Sequence, residues 1–381
     1  MRGVTDIRSA GCAMLVVAAG ALLTAQSPSP GSIASPGFDA VRANADAART
    51  AGHLDEAVDL YRRGVRLRPS WAEGQWYLGT ISYELGRYPT CRDAFGELVR
   101  LQPGNGAAWA FKGLCEFGLK AYRTALANLN TAHAVHIGDP KLIPVARYHR
   151  AILLARAGEF ERASQVWAGF ARAGNISPEV IQGMGIAVLR IARLPEELSP
   201  EQRDLATRAG RATVLAQSDG LEAEREYEDL VRAYPATPNV HYVYALFLLR
   251  DRPERALEQL REELRISPRH APAMIQIAQE LLKRGDRETA THWAKQAVLL
   301  APRNFVARRV LGQAKLDGDD VRGAIAELEL AVKLEPDSPS AHYTLARAYQ
   351  RAGRAADAER ERATFTRLER LQQELRGAVD R

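Results

Sequence analysis

Apolar side chains recur every third or fourth position in many short stretches of this chain, and each of these stretches ends at a proline. Residues 324–336 have the sequence AIAELELAVKLEP, and residues 290–302 have the sequence ATHWAKQAVLLAP. Apolar positions at this spacing lie on one face of an α-helix. The pattern predicts amphipathic helices of about 13 residues, which are marginally stable alone in water and need neighbours to cover their apolar faces.

The residues that begin these helices recur at a fixed interval of 34 positions. They are Ala57, Cys91 and Ala125 in the first half of the chain and Ala256, Ala290, Ala324 and Ala358 in the second. The prolines that end the helices keep the same interval, at Pro69 and Pro103 and again at Pro268, Pro302 and Pro336. A period of this length predicts an array of stacked helical repeats.

Each repeat is predicted to contain two helices joined by a glycine turn. In residues 72–105 the first helix ends at Gly86, and the second helix stops before Pro103. Glycine suits the turn because it adopts positive φ without steric cost. Further glycines fall between predicted helices at Gly52, Gly158, Gly285 and Gly353.

In the predicted second helices, a small residue is followed four positions later by a large one. The pairs are Ala57 and Tyr61, Cys91 and Phe95, Ala125 and Leu129, Ala163 and Trp167, and Ala324 and Leu328. On the first helices, Leu78–Gly79 and Leu311–Gly312 provide matching small surfaces. We expect paired helices to approach closely there, so that a larger residue would overpack the contact and cost about 1–3 kcal/mol.

The motif in residues 72–105 resembles the tetratricopeptide repeat (TPR). The matching features are WYLG at 76–79, the glycine turn, Tyr88, the small residue at 91, Phe95 and Pro103. The match is good for 72–105, 271–304, 305–338 and 339–371, fair for 38–71, 106–139, 144–177 and 237–270, and weak for 204–237. The resemblance implies an all-α fold, a right-handed α-solenoid of antiparallel helix pairs in a TPR-like superhelix, whose inner surface usually binds a protein or peptide.

The repeat is interrupted between Ala163 and Ala223, whose separation is not a multiple of the period. The predicted organisation is an N-terminal block of about four repeats at 38–177, an irregular helical insertion at 178–203, a C-terminal block of about five repeats at 204–371, and a capping tail at 372–381. A structural splint is the favoured role of the insertion, and a partner-specific element is the alternative. The tail is predicted to give the last repeat a polar outer face, with self-association left open.

The first residues have the layout of a secretory signal peptide. Arg2 and Arg8 precede an apolar stretch that ends near Ala25, and a Ser/Pro-rich linker follows. The stretch falls short of the ~20 apolar residues that span a bilayer. We therefore predict a signal peptide at 1–25, a linker at 26–37 and export to the periplasm or the medium, with an uncleaved inner-membrane anchor as the alternative.

The charge pattern argues against a nucleic-acid surface. The net charge is +6, and basic and acidic residues are interspersed along the chain, which is typical of solvated helix faces. Arginine far outnumbers lysine among the 52 basic residues, a bias that points to a bacterial source. A helical-repeat nucleic-acid binder is therefore the least favoured reading of the fold.

Two cysteines would remain after signal-peptide cleavage. Cys91 and Cys115 both fall on helix faces where small side chains are needed. Buried free thiols are therefore favoured, and a disulfide in an oxidising compartment is the alternative.

The sequence predicts no catalytic residue, no metal site and no cofactor. It contains no Gly-rich phosphate loop, HExxH, CxxC or GxSxG motif. His133 and His136 lie close to Asp139, but a metal site needs three or four ligands, so we expect exposed polar residues there. The first-helix histidines, at 149, 241 and 342, are predicted to be groove or surface residues rather than catalytic bases.

One stripe of the first helices is predicted to line a concave groove. Positions 76, 80 and 83 form it in one repeat, and the corresponding sets are 110, 114, 117 and 148, 152, 155. The predicted groove residues are Trp76, Thr80, Tyr83, Phe117 and Tyr148 in the N-terminal block and Arg309, Gln313, Arg347 and Arg351 in the C-terminal block. The aromatic part suits an extended peptide or an apolar helix, and the basic part suits an acidic partner. Packing of the aromatic rings against neighbouring helices is the alternative.

Some members of the resembled family hold the carboxylate of a chaperone tail with Lys, Asn and Arg side chains in the groove. The matching positions here are Trp76, Thr80, Ala110 and Leu114, so this clamp is not implied. The expected function is a non-enzymatic scaffold in the bacterial envelope that binds a protein or peptide ligand. An accessory subunit or regulatory domain of an envelope enzyme or assembly machine is the alternative.

Overall fold

The computed structural model describes the backbone of residues 36–379 and the side chains of residues 37–374. These residues form nineteen α-helices and one 3₁₀ helix at Pro195–Glu197, and no strand occurs among them. The helices are α1 (Pro36–Thr50), α2 (Leu54–Leu67), α3 (Ala72–Glu84), α4 (Tyr88–Leu101), α5 (Gly106–Gly118), α6 (Tyr122–Ala134), α7 (Leu142–Arg156), α8 (Phe160–Arg172), α9 (Pro178–Val188), α10 (Pro200–Leu215), α11 (Gly220–Ala233), α12 (Val240–Leu248), α13 (Pro253–Ile266), α14 (Ala271–Lys283), α15 (Arg287–Leu300), α16 (Phe305–Asp317), α17 (Val321–Leu334), α18 (Pro339–Arg351) and α19 (Ala355–Val379).

Consecutive helices pair through short turns, and within each compact unit the named pairs pack on one another. The chain divides into two compact units, one ending at Gly210 and the other beginning at Arg211 within α10. The pairs are α1–α2, α3–α4, α5–α6 and α7–α8 in the first unit, and α12–α13, α14–α15, α16–α17 and α18–α19 in the second. The all-α fold of stacked helix pairs, an α-solenoid, is confirmed.

The small residues of the second helices are buried as the period predicts. Their exposed fractions lie between 0 and 1% at Ala57, Cys91, Ala125, Ala163, Ala223, Ala256, Ala290, Ala324 and Ala358. Large side chains one turn later are fully buried beside them, including Tyr61, Phe95, Trp167 and Leu328. The apolar face of each short helix is therefore covered by neighbouring helices, which supplies the stability that an isolated helix of this length lacks.

Two first-helix glycines lie directly against these large side chains. A Cβ atom on Gly79 would lie 2.5 Å from Cε2 of Phe95, and a Cβ atom on Gly312 would lie 2.5 Å from Cγ of Leu328. Any larger residue would have to displace the side chain that fills the space between the helices. The close approach predicted from Leu78–Gly79 and Leu311–Gly312 is confirmed.

The turns within the pairs contain a residue with a left-handed backbone, except the turn between α12 and α13. Glycines with φ between 67° and 82° occupy five of them, at Gly52, Gly86, Gly158, Gly285 and Gly353. Lys120 has φ 59° at the turn that corresponds to Gly86 of the preceding repeat, and Asp319 has φ 68° at the turn that corresponds to Gly285. Because a residue with a Cβ atom pays about 1–2 kcal/mol for this conformation, the packing of the helix pair imposes the turn even where the sequence does not favour it.

The prolines between repeats also accept hydrogen bonds from the next repeat. Side chains from the start of the following first helix donate to the proline carbonyl oxygen: Trp109 Nε1 to Pro103 at 2.8 Å, His241 Nε2 to Pro235 at 3.0 Å, Arg308 Nε to Pro302 at 2.7 Å, and His342 Nε2 to Pro336 at 2.8 Å. Each bond satisfies a loop carbonyl that the helix cannot satisfy. The start of each of these first helices is thereby fixed to the end of the preceding second helix.

The first-helix histidines depart from the prediction. His241 and His342 are buried, with exposed fractions of 5% and 6%, so their assignment to the groove or surface was wrong. Their rings turn inward because Nε2 is the donor to the loop carbonyl. His149 is half-buried, and its Nδ1 lies 2.9 Å from the carbonyl oxygen of Val145 in its own helix.

Cys91 in α4 and Cys115 in α5 form a disulfide, with their Cα atoms 5.9 Å apart. Both residues are fully buried. The prediction of free thiols was wrong, because the two small-residue sites face each other where one helix pair packs on the next. The bond joins two successive repeats covalently.

The predicted insertion at 178–203 contains α9, the 3₁₀ helix and the first residues of α10. α9 and α10 approach until their backbones touch. A Cβ atom on Gly185 would lie 1.7 Å from the carbonyl oxygen of Ala206, and one on Gly210 would lie 1.8 Å from that of Ile181. Glycine at both positions makes this crossing possible, and all four residues belong to the first compact unit.

Several sequence predictions concern residues that the structure does not describe. The predicted signal peptide at 1–25 lies outside the described residues, as does the linker at 26–37 apart from its last two residues, where α1 begins. At the other end, α19 extends to Val379, into the predicted capping tail at 372–381. Within residues 36–379, no helix has the length and apolar character needed to cross a membrane.

Candidate partner-binding surface

The predicted groove residues of α3 belong to an aromatic cluster that spans three helices. Trp76 and Tyr83 are half-buried, and the ring of each meets Phe111 of α5 edge-on with centroids 5.7 Å apart. Trp76 also meets Phe95 of α4 edge-on at 5.7 Å, and Phe95 stacks on Phe111 at 5.1 Å. The two outer rings are thus held in place by two buried ones, and each keeps part of its surface accessible.

Thr80 lies between Trp76 and Tyr83 on α3 and is half-buried. Its hydroxyl donates to the carbonyl oxygen of Trp76 at 3.0 Å. The hydroxyl is therefore hydrogen-bonded within its own helix. Thr80 adds no charge to the surface between the two rings.

The aromatic residues predicted on α5 and α7 are also half-buried. Phe117 meets His149 edge-on with ring centroids 4.8 Å apart, and Tyr148 meets Trp167 at 5.5 Å. The other positions of the predicted stripe are fully buried, at Ala110, Leu114, Ile152 and Ala155. In the first unit, the accessible area on this stripe is therefore confined to the aromatic residues and Thr80. The rings also pack on neighbouring helices, which was the alternative to a fully open groove.

The predicted groove residues of the second unit form a hydrogen-bonded group across α16 and α18. The exposed Arg347 donates to Oε1 of Gln313 at 3.3 Å and lies 3.8 Å from Oδ1 of Asp317. Gln313 Nε2 in turn donates to Oδ2 of Asp317 at 2.7 Å. The aspartate offsets part of the positive charge predicted for this surface.

The two remaining arginines of this surface differ in environment. Arg351 is exposed, donates to the carbonyl oxygen of Leu316 at the end of α16, and pairs with Asp319. Arg309 is half-buried on α16, and burial lowers the pKa of its guanidinium. Each exposed arginine of the predicted basic wall is therefore already engaged by a carboxylate.

A cavity of about 410 Å³ opens between α6, α7 and α8 in the first unit. Its polar lining includes Arg147, Arg150, Arg162, Gln165, His133 and His136. The arginines were not among the predicted site residues. The sequence indicated only that this repeat is longer than the others. Ala163 follows Ala125 by more than one period, and the extra residues lengthen the loop that carries His136.

The arrangement around this cavity does not suit a metal cation. Oδ1 of Asp139 accepts a hydrogen bond from the backbone N–H of Lys141 at 2.8 Å, while His133 and His136 face arginine side chains across the cavity. Over the described residues, no group of three His, Cys, Asp or Glu side chains is placed to hold a metal ion.

Comparisons with known proteins identify the repeat. One tetratricopeptide repeat family model matches residues 42–90 and 213–271, and a second matches residues 315–364. The comparison with curated proteins gives no match. Among solved structures, the MamA RS-1 ArsTM double mutant is 22% identical over 44% of this chain and 97% of its own, with a TM-score of 0.39. MamA from residue 41 to its end, from Desulfovibrio magneticus RS-1, is 23% identical over 43% of this chain and 97% of its own, with a TM-score of 0.38.

The matched segments fall in both compact units. Each compact unit contains helix pairs in which a small residue lies against a large one. The family match and the packing therefore identify the same repeat. Repeats of this kind support a role as a scaffold for protein–protein interaction. The chain contains tetratricopeptide repeats at residues 42–90, 213–271 and 315–364.

Proposed function

We propose that this protein is an exported, non-enzymatic scaffold of the bacterial cell envelope that binds a segment of a partner protein along its first helices. The aromatic cluster around Trp76 and Tyr83 carries the proposal. Aromatic side chains dominate many protein–protein interfaces because they bury a large area and lose little rotamer freedom.

The rings of this cluster are already ordered before a partner arrives. Edge-on contacts with Phe95 and Phe111 hold Trp76 and Tyr83 on either side of Thr80. Binding there would order few additional side chains, so little conformational entropy would be lost. An apolar side chain of an extended segment or a helix would sit over Thr80, between the two rings.

The second unit would contribute selectivity more than affinity. Arg347 and Arg351 are exposed, but Asp317 and Asp319 already engage them. An acidic partner would have to replace these contacts, and exchange of one exposed ion pair for another gives little net free energy.

Two observations support export. The disulfide between Cys91 and Cys115 is of a kind that persists in oxidising compartments and is rare in the reducing cytosol. The first residues of the chain, with Arg2 and Arg8 before an apolar stretch, match the layout of a signal peptide.

Two buried tyrosines with raised pKa values occupy structural positions. Burial and a hydrogen bond to Asp46 raise the pKa of Tyr61, whose hydroxyl lies 2.6 Å from Oδ1 of Asp46 and 3.1 Å from Nε of Arg49. Burial raises the pKa of Tyr227 to about 12, and its hydroxyl lies 3.0 Å from that of Thr213. Both tyrosines join the two helices of a repeat, so their environments are explained by packing and require no reaction.

Thr80→Arg tests the proposed surface without removing an aromatic ring. The new side chain would place a charge between Trp76 and Tyr83, and we expect partner affinity to fall about thirtyfold, the loss of a central contact worth about 2 kcal/mol. Thr124→Arg is the matched control, because Thr124 is exposed on the second helix α6 and bonds only the carbonyl oxygen of Ala121 in the described structure.

The measurement is affinity purification from the envelope fraction, followed by affinity determination for each co-purified protein. The proposal is supported if proteins that co-purify with the wild type are lost with Thr80→Arg and retained with Thr124→Arg. An unchanged set of partners with Thr80→Arg contradicts the proposed surface, and recovery of the full-length, unprocessed chain from the cytosol contradicts export.

A further inference from the structure

The cavity between α6, α7 and α8 concentrates positive charge that the rest of the fold does not neutralise. Arg147 and Arg150 lie one turn apart on α7, and Arg162 faces them from α8. In the described part of the chain, neither Arg147 nor Arg150 forms an ion pair with a carboxylate. Arg162 pairs with Glu159, so three guanidinium charges and one carboxylate leave about two positive charges beside the cavity.

The contacts of these arginines orient them without neutralising them. Nε of Arg150 donates to Oδ1 of Asn130 at 2.8 Å, and the guanidinium of Arg147 lies 5.0 Å from the centroid of the Phe170 ring. An amide and an aromatic face hold a guanidinium in place while its remaining N–H groups stay available. Half-buried arginines held together in this way repel one another, and a bound anion would remove that repulsion.

The electrostatics of the cavity agree with this geometry. Burial and the nearby charges of Arg150, Arg147 and Arg162 lower the pKa of His133. Burial, together with Arg162 and Arg147, also lowers the pKa of Arg150, with Glu159 opposing the shift. The arginine charges that contribute to this lowered pKa of His133 would also stabilise a bound anion.

The loop between α6 and α7 gives the cavity a fixed wall. His136 has φ 68°, a left-handed conformation, and its carbonyl oxygen would lie 2.2 Å from a Cβ atom placed on Gly106. Glycine at the start of α5 therefore lets the longer loop lie close against the preceding repeat. The loop that contains the extra residues of this repeat contributes His136 and Ile137 to the lining of the cavity.

We propose that this cationic cavity is a binding site for a phosphate-type dianion, either a free phosphate compound or a phosphorylated side chain. About two uncompensated positive charges match a dianion, and guanidinium groups from two helices can donate to oxygens that point in several directions, as those of a phosphate do. A volume of about 410 Å³ accommodates a phosphate ester as well as the inorganic ion. The site is separate from the aromatic cluster on α3, and Arg147 and Arg150 project from a different face of α7 than Tyr148, so the proposal does not depend on the proposed partner surface.

The test measures binding of inorganic phosphate by calorimetry at constant ionic strength, on the wild-type protein and on Arg147→Gln/Arg150→Gln. We expect saturable binding by the wild type and a loss of about tenfold or more in affinity in the double variant, because two charge-assisted contacts to the anion are removed. Arg303→Gln/Arg322→Gln is the matched control, because it removes the same charge from exposed positions outside the cavity and should leave affinity unchanged. Absence of saturable binding by the wild type, or equal weakening in both variants, would overturn the proposal.

A second readout does not depend on the double variant being folded. In the wild-type protein, nuclear magnetic resonance should show the pKa of His133 below its ordinary value without phosphate and raised when phosphate is added, because the anion offsets the arginine charges. No movement of the His133 pKa at saturating phosphate would contradict binding in this cavity. Phenyl phosphate and a phosphoserine peptide distinguish the sources: tighter binding of the peptide assigns the site to a phosphorylated partner, and equal or weaker binding assigns it to a free phosphate compound. Tighter binding of succinate than of any of these would overturn the assignment to phosphate.

Discussion

Lys120 and Asp319 hold the left-handed backbone conformation that glycine holds in five other turns. Their φ angles of 59° and 68° cost conformational energy, because the Cβ atom crowds the following carbonyl group. At Asp319, the ion pair with Arg351 offsets part of this conformational energy. Lys120 is exposed and forms no ion pair within the described residues, so at this position the strain has no evident compensation.

Replacing Lys120 with glycine should therefore stabilise the protein. We expect Lys120→Gly to raise the free energy of unfolding by roughly 1 kcal/mol, the strain relieved less the backbone entropy that glycine adds to the unfolded chain. The measurement is urea denaturation followed by circular dichroism. Gly86→Ala, at the corresponding turn of the preceding repeat, is the opposite control and should lower stability by a similar amount. A destabilising Lys120→Gly would show that the turn is not strained.

At the scale of an element, α12 begins without a cap of its own. Asn239 precedes the helix with φ 71°, and its side-chain oxygen accepts a hydrogen bond from Nε2 of His270. The fully buried Glu263 of α13 caps the helix instead, accepting from the backbone N–H of Asn239 at 2.9 Å and of Tyr242 at 3.2 Å. A carboxylate from the paired helix thus satisfies donors that a helix start leaves unpaired, and it favours the positive end of the helix dipole.

Removal of this carboxylate should cost far more than removal of its neighbour. We expect Glu263→Ala to lower the free energy of unfolding by about 3 kcal/mol, because one buried and one partly buried N–H group lose a charged acceptor. Glu262→Ala is the matched control, since Glu262 is only half-buried and pairs with the exposed Arg265, a type of contact that contributes little to stability. Thermal denaturation of both variants gives the comparison. Equal losses would mean that Glu263 does not cap α12.

The packing of the helix pairs was predictable because the same residues recur in each repeat. Ala290 and Ala324 are buried, and Gly79 and Gly312 lie against large side chains. The same helix contact is formed in each repeat, so the interval of 34 residues identifies these positions. The cavity arginines were not predictable, because a lengthened loop shows where the repeat changes but not which side chains will face the gap. The disulfide was missed because cysteine and alanine satisfy the same demand for a small buried residue, and only coordinates show that positions 91 and 115 face each other.

At the scale of the whole molecule, the fold depends on helix pairs that stabilise one another. Leu328 of α17, for example, lies against Gly312 of its own pair and belongs to one buried cluster with Leu345 of the next pair. Stability in such an array is the sum of contributions from single pairs and from contacts between neighbours. One pair removed from its neighbours therefore exposes two apolar faces and should not remain folded.

The most direct measurement compares one helix pair with three. We would prepare residues 305–338, which contain α16 and α17, and residues 271–371, which contain the pairs on both sides as well. Thermal melting followed by far-UV circular dichroism should show little helix and no cooperative transition for the single pair, and a helical, cooperatively melting protein for the three pairs. A single pair as helical and as cooperative as the longer segment would contradict the claim that stacking holds this fold together.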